Sequence, residues 1–267
     1  MSYFADLYAT YVRVYLAAET QYRAANAIWL IGIVLEPLIY LSVWSAVAAT
    51  QGGEVAGFTP GDFAAYYLVL TLVNQLTSDW HMWEFQYRVQ LGHFAFLLIR
   101  PVHPIHGDIA ENLAHKIAMQ VVLVPALGLL ALAFRPHFAT NFESLVLFVP
   151  ALAFAFALRF AFEWMVALAC FWTTRVMAVN RAYFMVLLFL SGQVAPLEIL
   201  PGWLAAIANA LPFRFMIAFP VEVALGRLPV NEILDGLALQ AVWTAACVAL
   251  LALLWPAALR RFASVGG

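Results

Sequence analysis

The sequence predicts an all-α membrane protein that crosses the bilayer as six helices. Of its 267 residues, 65% are hydrophobic and only 10% charged, and the mean hydropathy is +0.89. Soluble domains hold about 45–50% apolar and about 25% charged residues. Several stretches carry about 20 residues with few or no charges, the length that spans a hydrocarbon core of about 30 Å. These runs are continuously apolar and do not alternate with a period of two, so they read as helices and not as barrel strands.

Apolar runs and the polar or Pro/Gly breaks between them place the spans at about 27–49, 62–82, 108–134, 144–172, 179–199 and 233–257. The first connection, TQGGEVAGFTPGD, is a loop, and RPHFATNFE and TTRVMAVNR separate the third, fourth and fifth spans. No repeat or linker divides the chain, so residues 1–267 form one membrane domain. The first sixteen residues lack a cationic stretch followed by an apolar core and a cleavage site, so no cleaved signal peptide is expected. Cys170 and Cys247 fall inside apolar runs and read as free buried thiols.

Basic residues set the orientation, because loops rich in Arg and Lys stay in the cytoplasm. An even number of spans puts Arg13, Arg23, Arg88, Arg100, Lys116, Arg175, Arg181, Arg260 and Arg261 on one side. Arg135, Arg214 and Arg227 fall on the other. Both termini are therefore expected on the cytoplasmic side of a cell membrane that the chain crosses several times, with the bilayer as its solvent. A net charge of −2 gives no ground for a nucleic-acid partner.

Three segments are neither spans nor simple loops. At about 4–20, Phe4, Leu7, Tyr8, Tyr11, Val14 and Tyr15 repeat at helical spacing opposite Asp6, Thr10 and Arg13, the pattern of a helix lying in the membrane interface. At about 84–100, EFQYRVQLGHFAFLLIR reads as a cytoplasmic amphipathic helix, since an isolated strand there would leave its backbone unpaired. At about 200–227, Pro201, Pro212 and Pro220 cut an apolar segment into pieces of about 10 residues, too short to cross, which fits a re-entrant hairpin on the outer side.

No phosphate-binding loop is present: the motif G-x-x-x-x-G-K-[ST] needs a lysine followed by Ser or Thr, and the sole lysine, Lys116, precedes Ile117. ATP-driven work therefore requires a separate subunit, and the chain itself is not expected to be an enzyme. His103, His106 and Asp108 lie close together, but Pro104 disturbs helical placement and no thiolate or fourth ligand is near. A solvated turn without metal is the expectation.

Charges at membrane depth cost about 2.5–3.5 kcal/mol on insertion scales and face a cavity or a partner. Arg159 and Glu163 are four apart on the fourth span, where they either pair with each other or serve a translocation path. Glu36, next to the kinking Pro37, lines a pore or packs structurally. Asp79, His81 and Glu84 close the second span and read as interface anchors.

This order of elements resembles the type-2 permeases of ATP-binding cassette (ABC) exporters over essentially the whole chain. LLIRPVHPI (97–105) is similar to the family's segment after the coupling helix. SGQVAPLEILPGWLAAIANALPF (191–213) looks like its fifth-span end and hairpin, with Gly192, Pro196, Pro201, Trp203, Leu211 and Pro212 at matching kinds of position. The resemblance implies a permease that pairs with itself or, in a branch that often joins unlike permeases, with a related chain. It also implies two ATPase subunits, holding ATP and Mg2+, bound at the helix near 84–100, while this chain carries no cofactor. The resulting expectation assigns Arg88, Gln90, Gly92 and His93 to ATPase contact and Glu36, Arg159, Glu163 and Gln193 to the path. Arg159 and Glu163 match no family motif. A transporter or channel independent of ATP, a membrane scaffold and an intramembrane enzyme are the competing readings; no internal repeat supports the first.

Overall fold

A computed structural model describes residues 3–19, 21, 23–173 and 175–262, with side chains described throughout except at 23–27 and 30. The expected end of the first helix at residue 20, and the side chain of Arg23, lie outside the described residues. The described residues are largely helical, with an isolated bridge between Val55 and Phe58 in the first loop. Its helices are α1 (Tyr3–Glu19), α2 (Arg23–Thr50), α3 (Pro60–Thr77), α4 (His81–Gln90), α5 (His93–Leu98), α6 (Pro104–Phe134), α7 (Phe142–Ala167), α8 (Val176–Leu190), α9 (Gly202–Ala210), α10 (Pro212–Met216), α11 (Ala218–Ala224) and α12 (Val230–Arg261).

Among the described residues, four helical stretches are long and apolar enough to cross a membrane: Ile31–Thr50, Pro104–Phe134, Phe142–Phe171 and Val230–Arg261. Two other expected spans are shorter, α3 with 18 residues and α8 with 15. α3 stops at Thr77, before the expected boundary at 82, because the chain turns sharply at Ser78. α8 stops at Leu190, nine residues before the expected 199, where Ser191–Ala195 form a turn.

Local chemistry sets the helix starts. Thr59 and Asp62 form a capping box at α3, each side chain satisfying the other's backbone N–H. Asn141 Oδ1 accepts from Ser144 N at 2.8 Å to begin α7. Pro104 occupies the first turn of α6 behind His103, whose Nδ1 accepts from Ile105 N, so the helix starts before the expected residue 108.

α7 is the central helix, packed by α3, α4, α8, α10, α11 and α12; α2 and α6 lie against α3, and α1 lies along α6. The outer surface is apolar: Ile28 and Leu35 on α2, Val121 and Leu132 on α6, Phe189 on α8 and Leu253 on α12 are all exposed. An apolar exterior over a core containing charged groups is the arrangement hydrocarbon solvent requires.

The turn after α8 is held by donors from two other helices. Tyr66 Oη donates to Gly192 O at 2.8 Å, while Tyr67 Oη and Trp44 Nε1 donate to Val194 O at 2.7 and 2.8 Å. These bonds satisfy carbonyls freed where the helix ends. Beyond it, α10 and α11 are almost wholly buried against the bundle. Gln240 Nε2 on α12 donates to Ala151 O and Phe215 O, both at 2.9 Å, joining α12 and α10 to α7. Arg214 and Glu222 pair at 2.6 Å, and Arg227 lies over the Phe58 ring at 3.7 Å.

Gly192 has φ +84°, and an added Cβ would come within 2.6 Å of Tyr66 Oη and 3.0 Å of Ala218 Cβ. Gly192→Ala is expected to lose about 1–3 kcal/mol of stability. Gly32→Ala, where nothing lies within 4 Å, is the neutral control. Thermal unfolding in detergent reads the difference; equal stabilities would mean the turn tolerates a side chain.

Candidate functional site

The buried charged residues, Glu222 apart, converge where α3 gives way to α4. Ser78–Trp80 break the helix while still packed inside the bundle, so their backbone groups need protein partners. They receive charged ones. Asp79 N donates to Glu163 Oε2 at 2.9 Å, and Ser78 O accepts from Asn112 Nδ2 at 3.3 Å and from Lys116 Nζ. Glu163 Oε1 in turn accepts from Arg159 Nε at 2.8 Å and from Tyr183 Oη at 2.9 Å. Arg159 Nη1 donates to Asn74 Oδ1 at 2.7 Å and Thr77 Oγ1 at 3.1 Å. Arg159 and Glu163 are thus a buried pair, 2% and 0% exposed, that also clamps the end of α3.

The network continues into α4 and α6. His81 is fully buried, with Nδ1 on Asp79 Oδ1, which also accepts from Asn112 Nδ2 at 2.9 Å. Burial disfavours charge on His81, yet the adjoining Asp79 carboxylate outweighs it and pushes the imidazole up to about 10. On the other side of His81, Asp108 accepts from Arg88 Nη1 at 2.6 Å and from Trp164 Nε1 at 2.9 Å. Arg88 also meets Glu84 at 3.0 Å.

The expected single helix over 84–100 is two, because Gly92 in the left-handed region (φ 74°) turns the chain between α4 and α5. Beneath this elbow, Phe85 packs on Phe94 and Trp164, and Phe94 on Phe171, Trp255 and Phe262. Asn180 Nδ2 donates to Met82 O at 3.0 Å. Gln90, Leu91 and His93 form the exposed apex, joined by exposed Tyr87, Phe96 and Ile99. Arg88 differs from the expectation of an exposed contact residue: the carboxylates of Glu84, Asp108 and Glu111 turn its head group inward.

Two cavities flank the network. One of about 520 Å³ lies among α2, α3 and α8, lined by Glu36, Asn74, Gln75, Asp79, Trp83 and Gln193 among others. It brings Glu36 and Gln193 together, whereas Arg159 and Glu163 stay behind its wall and reach its lining through Asn74 and Asp79. The other, of about 370 Å³, lies under the elbow and is lined by Tyr11, Tyr15, Arg88, His93, Asp108 and Glu111 among others. α1 bounds it and is fixed to α6 by Tyr8 Oη with His106 Nδ1 at 2.9 Å and by Glu19 with His115 at 3.1 Å.

A family model described as an ABC-2 family transporter protein matches residues 30–266. The chain belongs to the ABC-2 transporter family. No curated protein and no solved structure matches it. As an ABC-2 protein it is a membrane subunit of the permease kind, and the family works with ABC ATPase subunits. The hairpin residues of the earlier resemblance occupy helix boundaries here: Pro196 precedes the short turn Leu197–Ile199, Pro201 precedes α9, and Pro212 begins α10, with Trp203 exposed on α9.

Sequence reasoning took Asp79 and His81 for interface anchors and gave Asn112 and Lys116 no role at the site. A signal was present: Asp108, Asn112 and Lys116 recur every four residues, a polar stripe down one face of an otherwise apolar helix.

Removing one member of a buried ion pair strands the other, at a cost of about 3–5 kcal/mol. Arg159→Met alone is therefore expected to destabilise the ABC-2 protein severely, and Arg159→Met with Glu163→Met to be the more stable of the two variants. Unfolding in detergent measures both; a double variant no better than the single one would show that the backbone contacts of Glu163 outweigh its pairing.

Proposed function

We propose that this ABC-2 chain is the permease subunit of an ATP-driven exporter. In this reading α2, α3, α6, α7, α8 and α12 are the six spans, with α1 and the C-terminus on the cytoplasmic side. The α4–α5 elbow is the handle on which an ABC ATPase pushes, and α9–α11 form the re-entrant hairpin on the outer side. The cavity among α2, α3 and α8 is half of a translocation path that a second permease, related or identical, completes. Nucleotide binding draws the ATPase pair together and switches the path between inward and outward access.

The observation that carries this reading is the elbow. It presents an apolar apex at Leu91, Phe96 and Ile99 to solvent, while its other face is locked into the bundle by aromatic rings and the charged network. A rigid lever with an exposed apolar tip suits a partner that delivers force, because displacement of α4 reaches α3 and α7 through Asp79, Glu163 and Arg159. Gln90 and His93 belong to the contact surface, Gly92 sets its angle, and Arg88 transmits. Glu36 and Gln193 face the path, and the Arg159–Glu163 pair supports its wall.

Two measurements test the assignment. Gln90→Glu combined with His93→Glu should reduce ATPase recovered with the purified permease by about tenfold, equivalent to about 1.4 kcal/mol, without lowering its expression. Unchanged recovery would remove the apex from the contact. Gln193→Cys, in a chain lacking Cys170 and Cys247, should change its maleimide labelling rate when the ATPase is trapped with vanadate. A constant rate, or transport by the chain alone under an ion gradient, would count against the exporter.

A further inference from the structure

His81 on α4 and Asp108 and Glu111 on α6 bring one donor atom each to within 4.8 Å of one another. The individual separations are informative. His81 Nε2 stands 3.5 Å from Glu111 Oε2 and 3.8 Å from Asp108 Oδ1. Both exceed the length of a proper N–H···O hydrogen bond, and Nε2, on a fully buried side chain, makes no hydrogen bond. Donors at about 2.0–2.2 Å from a tetrahedral zinc lie about 3.3–3.6 Å apart. The 3.5 Å separation falls in that range and the 3.8 Å one lies 0.2 Å beyond it, so both are too long for a shared proton and a small closure would fit a shared cation.

The surroundings are those of a metal site. Asp79 holds His81 Nδ1, which fixes the ring and directs Nε2 at the two carboxylates, the carboxylate–histidine arrangement that supports metal-binding imidazoles. Trp164 Nε1 holds Asp108 Oδ2 and so presents Oδ1. Arg88 Nη1 is on that same Oδ1 at 2.6 Å but keeps Glu84 as a second partner, so it has somewhere to go when a metal arrives. Four carboxylates, Asp79, Glu84, Asp108 and Glu111, face Arg88, His81 and Lys116, which leaves negative charge in surplus even with every cation charged. Asp108 and Glu111 also line the cavity under the elbow, which supplies access and space for a water as fourth ligand.

We propose that His81 Nε2, Asp108 Oδ1 and Glu111 Oε2 bind one divalent first-row cation, zinc in the first instance, which releases the Nε2 proton to water and braces α4 against α6. The site differs from the His103, His106 and Asp108 grouping considered in the sequence: His106 is engaged by Tyr8, and His103 caps α6 through Nδ1. It also departs from the expectation of a chain without metal. The proposal is independent of the exporter reading, because zinc binding is its own readout.

The test uses the full-length chain in detergent, with any subunits that accompany it, stripped with EDTA and titrated with ZnCl2. One zinc per chain is expected by mass spectrometry after desalting, together with a rise in melting temperature. His81→Ala and Glu111→Gln should each lose that zinc, and Asp79→Asn should weaken it by about 10- to 100-fold. Glu111 is partly exposed, so its variant decides the matter if His81→Ala does not fold. Failure of the stripped wild-type chain to bind zinc would overturn the site, as would zinc retained in full by folded Glu111→Gln.

Discussion

The constraint on which this architecture depends is the buried break at Ser78–Trp80. Interrupting a helix inside apolar surroundings frees backbone N–H and C=O groups that neither lipid nor packed side chains can satisfy. Here the freed groups are met by Glu163 from α7 and by Asn112 and Lys116 from α6. Of these, Glu163 and Lys116 carry charge; Glu163 is met by Arg159 and Tyr183, and Arg159 in turn by Asn74 and Thr77. The intramembrane charges are therefore consequences of a backbone geometry. Replacing them with apolar groups would remove the desolvation cost but leave the turn unsatisfied.

That break makes the elbow possible. Because α3 ends at Thr77, the chain can change direction and lay α4 and α5 across the end of the bundle, where Phe85 and Phe94 plug into an aromatic pocket of Trp164, Phe171, Trp255 and Phe262. The lever and the charged core share residues: Asp79 touches Glu163, His81 touches Asp79, and Asp108 joins Arg88 to Trp164. A packed, hydrogen-bonded chain of this kind transmits displacement because packed interiors do not compress. A second broken helix follows the same rule, its freed carbonyls at Gly192 and Val194 taken by Tyr66, Tyr67 and Trp44.

The two breaks frame the larger cavity. Asn74, Ser78 and Asp79 line it near one, Gln193 near the other, and Glu36 from α2 completes a polar strip in a wall otherwise rich in aromatic rings. Irregular backbone at depth is tolerated where it is buried in protein or faces a cavity, and both breaks meet that condition. Outside the breaks, large apolar side chains such as Leu35, Val121, Phe189 and Leu253 face outward from α2, α6, α8 and α12.

The sequence by itself determined the class of the protein, the helical solution to its hydrophobicity, and the fact that something unusual happens at residues 84–100 and 191–213. It also made the Arg159–Glu163 pair legible, since a spacing of four puts both on one helix face. Tertiary structure decided what those charges hold. Asp79 and His81 stand at the end of an apolar run, where charge is cheap at an interface and costly inside, and the local sequence is the same in either case. Only the docking of α6 and α7, whose Asn112 and Glu163 lie 33 and 84 residues beyond Asp79, closes over them. Arg88 turned inward for the same reason: the carboxylates that claim it include Asp108 and Glu111, twenty and more residues away, and a helical wheel of α4 alone leaves it facing water. Hydrophobic pattern is written locally and survives in the sequence, whereas burial of a polar group is a property of its neighbours and appears only when they are assembled.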